Sequence, residues 1–504
     1  MTVCSTTVQS YGTHPRSGRP PLSDASVISL TISLTLGTWM ARPVTPTVAV
    51  VLVVAAGLTW RSSVRTAGTS VRPRTFDVDW PRALRVSSAL LAMALLGSWS
   101  GDRAWRAATA GPTAPQAVHA PAALVTDPVP IGSGRSVVVQ IDGRRFEALA
   151  YGSPGRRLAR LLAGDIVIVE GRVRPAPAHR ARRLAIRHVV GVLDLERIQS
   201  AGEGAPLSRA ANRVRRALES GTSDLPAVER SLFLGLVIGD DRDQPRSMVE
   251  EFRRSGLSHL TAVSGQNVSF VLLLAGPFVT RLRPAARWLV TIGLIGWFAA
   301  LTRFEPSVLR AAGMATLSAT AFWRGRQVGP IRALSITVAG FELVDPLLVW
   351  SVGWWLSVGA TAGIALLAAP IEARLPGPRS LRIAASVTLA ANLGVLPISV
   401  LVFDRSPLVS LAANLLAVPV AGLVMVVGIP TGLLAAALPE LAPVLLVPGR
   451  LGTRWVLLVA RLAATVEPDG WGRLPALIQL VTVGAVLARR RQREADASHR
   501  GDDG

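Results

Sequence analysis

Long apolar runs constrain this 504-residue chain more than any other feature. From residue 225 to about 489 the sequence is mostly apolar. In the whole chain 50% of residues are hydrophobic and only 17% are charged, below the share of ordinary soluble domains. A helix that crosses a bilayer needs about 20 mainly apolar residues. We therefore predict a polytopic α-helical membrane protein with about 9–12 transmembrane helices.

The apolar runs form two groups. Three marginal runs, at 25–40, 45–60 and 86–99, predict N-terminal transmembrane helices within 25–100. A short apolar element at 230–239 precedes the second group, whose candidate spans are 257–280, 287–302, 306–323, 331–349, 350–369, 382–402, 408–427, 428–447, 452–466 and 474–488. We predict a disordered tail at 1–24. An arginine run directly after the last apolar run predicts a cytoplasmic tail at 490–504.

Residues 101–200 contain no apolar run that could cross a bilayer. Their pattern changes to period two, with turn signals at Asp142-Gly143 and at Gly164-Asp165. The stretch at 182–198 can supply one or two further strands. Short strands joined by glycine turns predict a small inserted soluble β-barrel of OB-like type, placed outside the cytoplasm.

The net charge of +22 comes from arginine alone among the basic residues. Residues 201–256 predict amphipathic helices at the membrane surface. In the first of them apolar residues recur at helical spacing from Leu207 to Leu218, while Arg209, Arg213 and Arg216 lie on another face. These three arginines can contact lipid phosphate or collect DNA, and the sequence leaves both interpretations open.

The second group begins with a polar interruption, GLSHLTAVSGQNVS, at 256–269. Unpaired polar groups are costly in hydrocarbon, so they must face protein or water. A Ser-Gly pair also favours a broken helix, and broken helices in membranes line substrate paths. Hydrogen bonding between packed helices is the alternative. The predicted path-lining residues of this stretch are His259, Ser264, Gly265, Gln266, Asn267 and Ser269.

Two further polar residues interrupt apolar runs. Arg310 lies well inside 306–323 and needs a partner or a wet cavity, because a central arginine costs about 3 kcal/mol in a bilayer. A structural ion pair and a phosphate contact both remain open. Asn414 lies in a proline-containing run and predicts an internal polar contact. We add both residues to the candidate path.

Sequence signals for catalysis are missing. The six histidines are scattered without metal-ligand spacing, and Cys4 is the only cysteine. There is no glycine-rich phosphate loop of the ATPase type. We predict no enzyme activity, no metal and no cofactor.

Several motifs together resemble the ComEC-type competence protein family. They are LVIGDDRDQPRSMVEEFRRSGLSHLTAVSGQNVSFVL at 236–272, PSVLRAA at 306–312, DPLLVWSVGWWLS at 345–357 and LPISVLVFDRSPLVSLAANLLAVP at 396–419. The resemblance covers roughly residues 85–490. It implies a competence-type channel domain at 257–489 that imports one DNA strand through the bacterial cytoplasmic membrane during natural transformation.

The resemblance also implies two protein partners, a DNA receptor and a cytoplasmic ATPase-type protein. The apolar runs themselves predict membrane lipid as a further partner. Family members usually carry a second histidine where this chain has Asn267. They also have a C-terminal metallo-β-lactamase-like domain that is not found in this sequence, so we expect a separate nuclease or none. A homo-oligomer stays open. The alternatives are a transporter of another anionic or polymeric substrate, and a non-conducting scaffold.

Overall fold

The computed structural model describes residues 23–40, 80–261, 265–403 and 409–467. Four predicted segments lie outside the described residues: the tail at 1–24 except for its last two residues, the span at 45–60, the span at 474–488 and the tail at 490–504. The described chain is mostly helical, and a separate mixed β-sheet is inserted after the second helix.

The N-terminal helices are α1 (Asp24–Met40) and α2 (Trp80–Thr109). They pack at very short range, since a Cβ placed on Gly37 would lie 2.0 Å from the carbonyl oxygen of Ala94. Only a residue without a side chain permits that approach. Helix α2 continues to Thr109, past the predicted domain boundary at residue 100, because 101–109 still has helical hydrogen bonding.

The β domain follows. Its elements are β1 (Gln116–Leu124), β2 (Val129–Ile131), β3 (Gly134–Ile141), β4 (Arg144–Ala150), α3 (Gly152–Leu158), β5 (Ile166–Pro175), α4 (Ala178–Ile186) and β6 (Val189–Gly202). The strand order is β1-β5-β6-β4-β3-β2, and β1 also pairs with β3. The β4–β6 pair is parallel and the other pairs are antiparallel.

The β domain follows the sequence prediction at one hairpin and departs from it in the segment before β6. The Asp142-Gly143 hairpin is confirmed: both residues have positive φ, 46° and 77°, between β3 and β4. The stretch at 182–198 supplies one strand only. Its first part belongs to α4, because Leu184 and Ala185 are buried on one side of a turn whose other side is rich in arginine.

The remaining helices form the bundle. They are α5 (Pro206–Gly221), α6 (Ala227–Ile238), α7 (Arg246–Arg254), α8 (Ser258–Thr261), α9 (Gln266–Val279), α10 (Pro284–Leu301), α11 (Pro306–Trp323), α12 (Pro330–Val344), α13 (Val352–Glu372), α14 (Arg379–Phe403), α15 (Ser410–Ala437), α16 (Ala442–Leu445) and α17 (Val447–Val466), with 3-10 turns at Pro346–Trp350 and Pro439–Leu441.

Four of the described helices, α10, α13, α14 and α15, are long and apolar enough to cross a membrane. A fifth span results if Pro439–Leu445 and Val447–Val466, bent by 46°, are taken as one. Neither α1 nor α2 is among them. The predicted total of about 9–12 spans and the N-terminal spans therefore stay predictions.

Helix α6 lies at the centre of the bundle. Every residue from Ser231 to Ile238 is buried. Glycines on α15 and α17 bring those helices against it: a Cβ on Gly449 would lie 2.6 Å from the Phe233 ring. With 12 residues α6 is about 18 Å long, too short to cross a hydrocarbon core of about 30 Å. It is a buried half-length helix.

Candidate functional site

The polar stretch at 256–269 contains a helix break, as predicted. Helix α8 ends at Thr261, and α9 begins at Gln266 with Gly265 as its N-cap. The preceding helix α7 ends before Gly256, which has a φ of +73°. Glycine suits this left-handed position after a helix. Ser264 lies outside the described residues.

Gly265 contacts Arg310 of α11. A Cβ at Gly265 would lie 2.6 Å from Arg310 Nη2 and 3.0 Å from the carbonyl oxygen of Ser307. Arg310 Nε donates a hydrogen bond to Ser357 Oγ of α13 at 2.7 Å. The structure therefore brings together two residues that the sequence placed in one path, 45 positions apart, and it adds Ser357, which the sequence analysis missed.

Arg310 has no acidic partner in the described part of the chain. The carboxylates that the sequence offers as partners are Glu305, Glu342, Asp345 and Asp404. Glu305 forms no ion pair with Arg310. Glu342 instead accepts hydrogen bonds from Thr35 Oγ1 of α1. Asp345 contacts His188. Asp404, another candidate, falls in the undescribed segment 404–408. The structural ion pair that the sequence left open is thus not formed by the described residues.

Asn267 joins α9 to the end of α6. Its Nδ2 donates to the carbonyl oxygen of Leu236 at 3.0 Å, and the residue is 2% exposed. Its neighbours Gln266 and Ser269 are exposed, and so is His259 on α8. The C-terminal end of one short helix therefore meets the N-terminal end of another. The path-lining roles of these residues stay predictions.

Asn414 is buried elsewhere, in α15. Its Nδ2 donates to Ser410 Oγ at 3.1 Å, while its buried Oδ1 has no hydrogen-bond partner among the described residues. Ser410 in turn lies against Gly256, where an added Cβ would be 2.7 Å from the Ser410 Cβ. The predicted internal polar contact of Asn414 is confirmed. No contact joins Asn414 to Arg310.

The predicted DNA-collecting arginines of α5 are exposed. Arg209 lies 3.9 Å from Glu203, and Arg216 lies 3.5 Å from Asp165. Arg213 has no ion-pair partner within the described ranges. All three remain accessible to an anion.

Arg215, which was not among the predicted site residues, lies between them on the buried side of α5. Arg215 is 1% exposed, and its Nη2 pairs with Asp127 at 3.0 Å and with Asp240 at 3.4 Å. Arg303 adds two hydrogen bonds to Asp127, and Arg242 pairs with Asp240. We call these five residues the Arg215 cluster. The sequence contains a signal for its burial: Arg215 is four residues after Ala211 and three before Leu218, so helical spacing places it on the apolar face of α5.

The electrostatics of the cluster are those of paired buried charges. Burial by itself raises the pKa of Asp127, but the neighbouring Arg215 and Arg303 guanidinium groups outweigh it and lower the pKa to about 2. Burial also raises the pKa of Asp240, and Arg242 and Arg215 reverse that effect and lower it. Both carboxylates are therefore ionised at neutral pH.

A second contact joins the β domain to the bundle. His188, directly before β6, lies 3.0 Å from Asp345, measured from Nε2 to Oδ1. Beside it the rings of Trp105 and Trp350 pack with their centroids 5.4 Å apart. The DPLLVW motif at 345–350 thus contributes to a domain contact. The described residues hold no cluster of histidine, cysteine or acidic side chains that could bind a metal.

Comparisons with known proteins identify relatives of this chain. Residues 236–491, just over half of the chain, match the family described as Competence protein. Uncharacterized protein YcaI of Escherichia coli K12 is 28% identical over 264 residues, 48% of this chain and 33% of the relative. No solved structure matches the chain significantly.

Two further relatives have competence names. Competence protein ComA of Neisseria gonorrhoeae is 32% identical over 203 residues, covering 37% of this chain and 28% of the relative. ComE operon protein 3 of Bacillus subtilis 168 is 26% identical over 244 residues, covering 46% and 30%. The chain therefore spans about a third of the length of each curated relative it matches.

Proposed function

This chain belongs to the competence protein family, as a ComEC-type member, and from that membership we propose that it is a DNA-uptake channel. In this proposal it spans the bacterial cytoplasmic membrane several times, and single-stranded DNA passes through it during natural transformation. It acts as a conduit and performs no catalytic step of its own.

Arg310 carries this proposal. A guanidinium group among apolar helices needs a compensating anion, and the described residues offer Ser357 Oγ but no carboxylate. A DNA phosphate supplies the missing charge, and arginine can bind it through two parallel hydrogen bonds. Gly265 packs directly against the guanidinium, and a residue with a side chain at this position would overlap Arg310 Nη2.

The arrangement of short helices supports a path at this place. Membrane transporters form their substrate sites from discontinuous helices whose ends meet within the protein. Here α6 ends beside Asn267 at the start of α9. Two residues before Asn267, Gly265 contacts Arg310 of α11. Gln266 and Ser269 are exposed at the same helix start. In the proposal they line the path together with His259.

The β domain is proposed to collect DNA on the outer face. Its pairings run from β1 through β5, β6, β4 and β3 back to β1, with β4 and β6 parallel, which supports an OB-like barrel. Such barrels bind single strands on basic surfaces. Arg209, Arg213 and Arg216 extend this surface. A DNA receptor, an ATPase-type partner and a separate nuclease complete the proposed system.

The test compares two arginines of one helix region. Arg310→Gln removes the charge next to Gly265, whereas Arg324→Gln removes an exposed charge just after α11. Cells with each variant at normal protein level receive fluorescent double-stranded DNA, and DNase-resistant uptake is measured. We expect Arg310→Gln to lower uptake by roughly a hundredfold, as the loss of one buried charge contact of about 2–3 kcal/mol implies. Arg324→Gln leaves uptake unchanged.

A further variant separates charge from geometry. Arg310→Lys keeps the charge but loses the two-pronged contact, so we expect intermediate uptake. Normal uptake in Arg310→Gln cells would refute the phosphate contact. Normal uptake in cells that lack the whole gene would refute a DNA channel and favour another anionic or polymeric substrate, or a scaffold.

A further inference from the structure

We infer that the Arg215 cluster couples the position of the β domain on the bundle to the Gly265–Arg310 contact between α9 and α11. Arg215 is the positioning residue. The inference rests on the proposed function, because it assigns a means of regulation to the same path. It goes beyond that function by linking two parts of the molecule that the sequence treats as separate domains.

The first link is Asp127, which lies in the loop between β1 and β2. Its Oδ1 accepts a hydrogen bond from the backbone N–H of Ala163 at 2.8 Å, which anchors it within the β domain. The same carboxylate binds Arg303 through both oxygens, at 2.9 and 3.0 Å, and Arg215 at 3.0 Å. A shift of the β domain therefore moves the counter-charge of two bundle arginines at once.

The second link is the guanidinium of Arg215, which joins two helix ends. Its Nη1 donates to the carbonyl oxygen of Ile238 at the end of α6, at 3.2 Å, and to that of Leu301 at the end of α10, at 3.1 Å. Cations are favoured at helix C-termini, where carbonyl groups lack partners. One side chain thus fixes the ends of α6 and α10 at a set distance from Asp127.

The third link runs from these helix ends to the path. Two residues before Ile238, the carbonyl oxygen of Leu236 holds Asn267 of α9. After Leu301, the turn through Arg303 leads into α11 and Arg310. Both partners of the Gly265–Arg310 contact are therefore connected to the same cluster, α9 through α6 and α11 through Arg303.

The turn between α10 and α11 is held in an unusual backbone conformation. Arg303 and Phe304 have φ of 61° and 55°, in the left-handed region that residues with side chains seldom occupy. Such conformations persist where surrounding contacts impose them, and they concentrate at switches. The Arg303 side chain is held by two hydrogen bonds to Asp127 and one to Asn212, so release of Asp127 removes two of the three side-chain contacts that fix the turn before Arg310.

The experiment measures the path without DNA. Cys4 is replaced by serine, Gln266→Cys is introduced at the exposed start of α9, and its labelling by a membrane-impermeant maleimide is timed. Asp127→Asn removes the coupling charge. Asp194→Asn is the matched control, because Asp194 also binds an arginine, Arg174, with both oxygens, but entirely within the β domain.

We expect Asp127→Asn to change the labelling rate at position 266 by roughly tenfold, the size of coupling carried between packed sites. Asp194→Asn leaves the rate unchanged. In the same variants without the Gln266→Cys change, DNase-resistant uptake falls in Asp127→Asn cells while DNA bound at the cell surface does not.

Two outcomes overturn the coupling. One is a labelling rate in folded Asp127→Asn protein equal to that of Asp194→Asn. The other applies if Asp127→Asn does not accumulate: Arg303→Lys, which keeps the charge and loses the double contact, then replaces it, and an unchanged rate refutes the inference. Absence of DNA uptake in the unaltered chain would refute the proposed function alone, since labelling does not depend on DNA.

Discussion

Helix α6 has a cluster of ion pairs at each of its two ends, and the arginines of the two clusters differ in burial. At its start Glu229 accepts hydrogen bonds from Arg450 and Arg454 of α17, whose side chains are 44% and 50% exposed. At its end Arg215 is 1% exposed, between Asp127 and Asp240. Both clusters have the sign that the helix dipole favours: an anion at the start and a cation at the end.

Because the two clusters differ in solvent access, they contribute differently to stability. A half-exposed arginine that loses its partner is solvated by water, so the pair contributes little. A buried arginine that loses its partner stays unsolvated, and the protein must deform or unfold. The ion pairs at the start of α6 therefore contribute little to its attachment to α17, whereas those at its end hold it rigidly against the β domain. The end is also where the proposed path begins.

The largest effect is expected from Arg215→Met, which removes the buried charge and keeps most of the volume. Asp127 and Asp240 lose a shared partner, and the ends of α6 and α10 lose a donor. We expect the free energy of unfolding to fall by about 3–5 kcal/mol. Denaturation in detergent measures it, with Arg213→Met, an exposed position of the same helix, as the control. Equal stability of the two variants would contradict the rigid role of this end.

A smaller effect is expected from pH. The pKa of Asp127 is lowered from 3.8 to about 2, so the native state favours the carboxylate. The resulting stability is complete above about pH 4 and is lost as the pH falls toward 2, in total on the order of 2 kcal/mol. Denaturation of the unaltered protein and of Asp127→Asn is compared between about pH 5 and pH 2. Parallel pH profiles would show that Asp127 is not the titrating group.

The smallest effect is expected at the start of α6. Arg454→Gln leaves Glu229 paired with Arg450, and both arginines are half exposed. The free energy of unfolding should fall by less than about 1 kcal/mol, and the loss should shrink further at high salt. The measurement is the same denaturation assay at two salt concentrations. A loss as large as that of Arg215→Met would remove the contrast between the two ends.

Local features of this protein could be predicted from the sequence. The hairpin at Asp142-Gly143 and the break before Gln266 were predicted correctly, because turns depend on residues that are neighbours in the chain. Apolar run length predicted membrane helices, four or five of which the described residues support. Helix α4 was missed, because its nine residues are too few for an apolar period to distinguish helix from strand.

The sequence by itself determined the membrane class, the inserted β segment and the short apolar element at 230–239. It also placed Gly265 and Arg310 among the path candidates, since each of these follows from local pattern or cost in lipid. Only the tertiary structure decided which charges are paired. Arg215 and Arg216 are adjacent in sequence, yet one is buried between Asp127 and Asp240 and the other faces solvent. The reason is physical: a charge acquires its role from burial and from partners distant in sequence, and composition specifies neither.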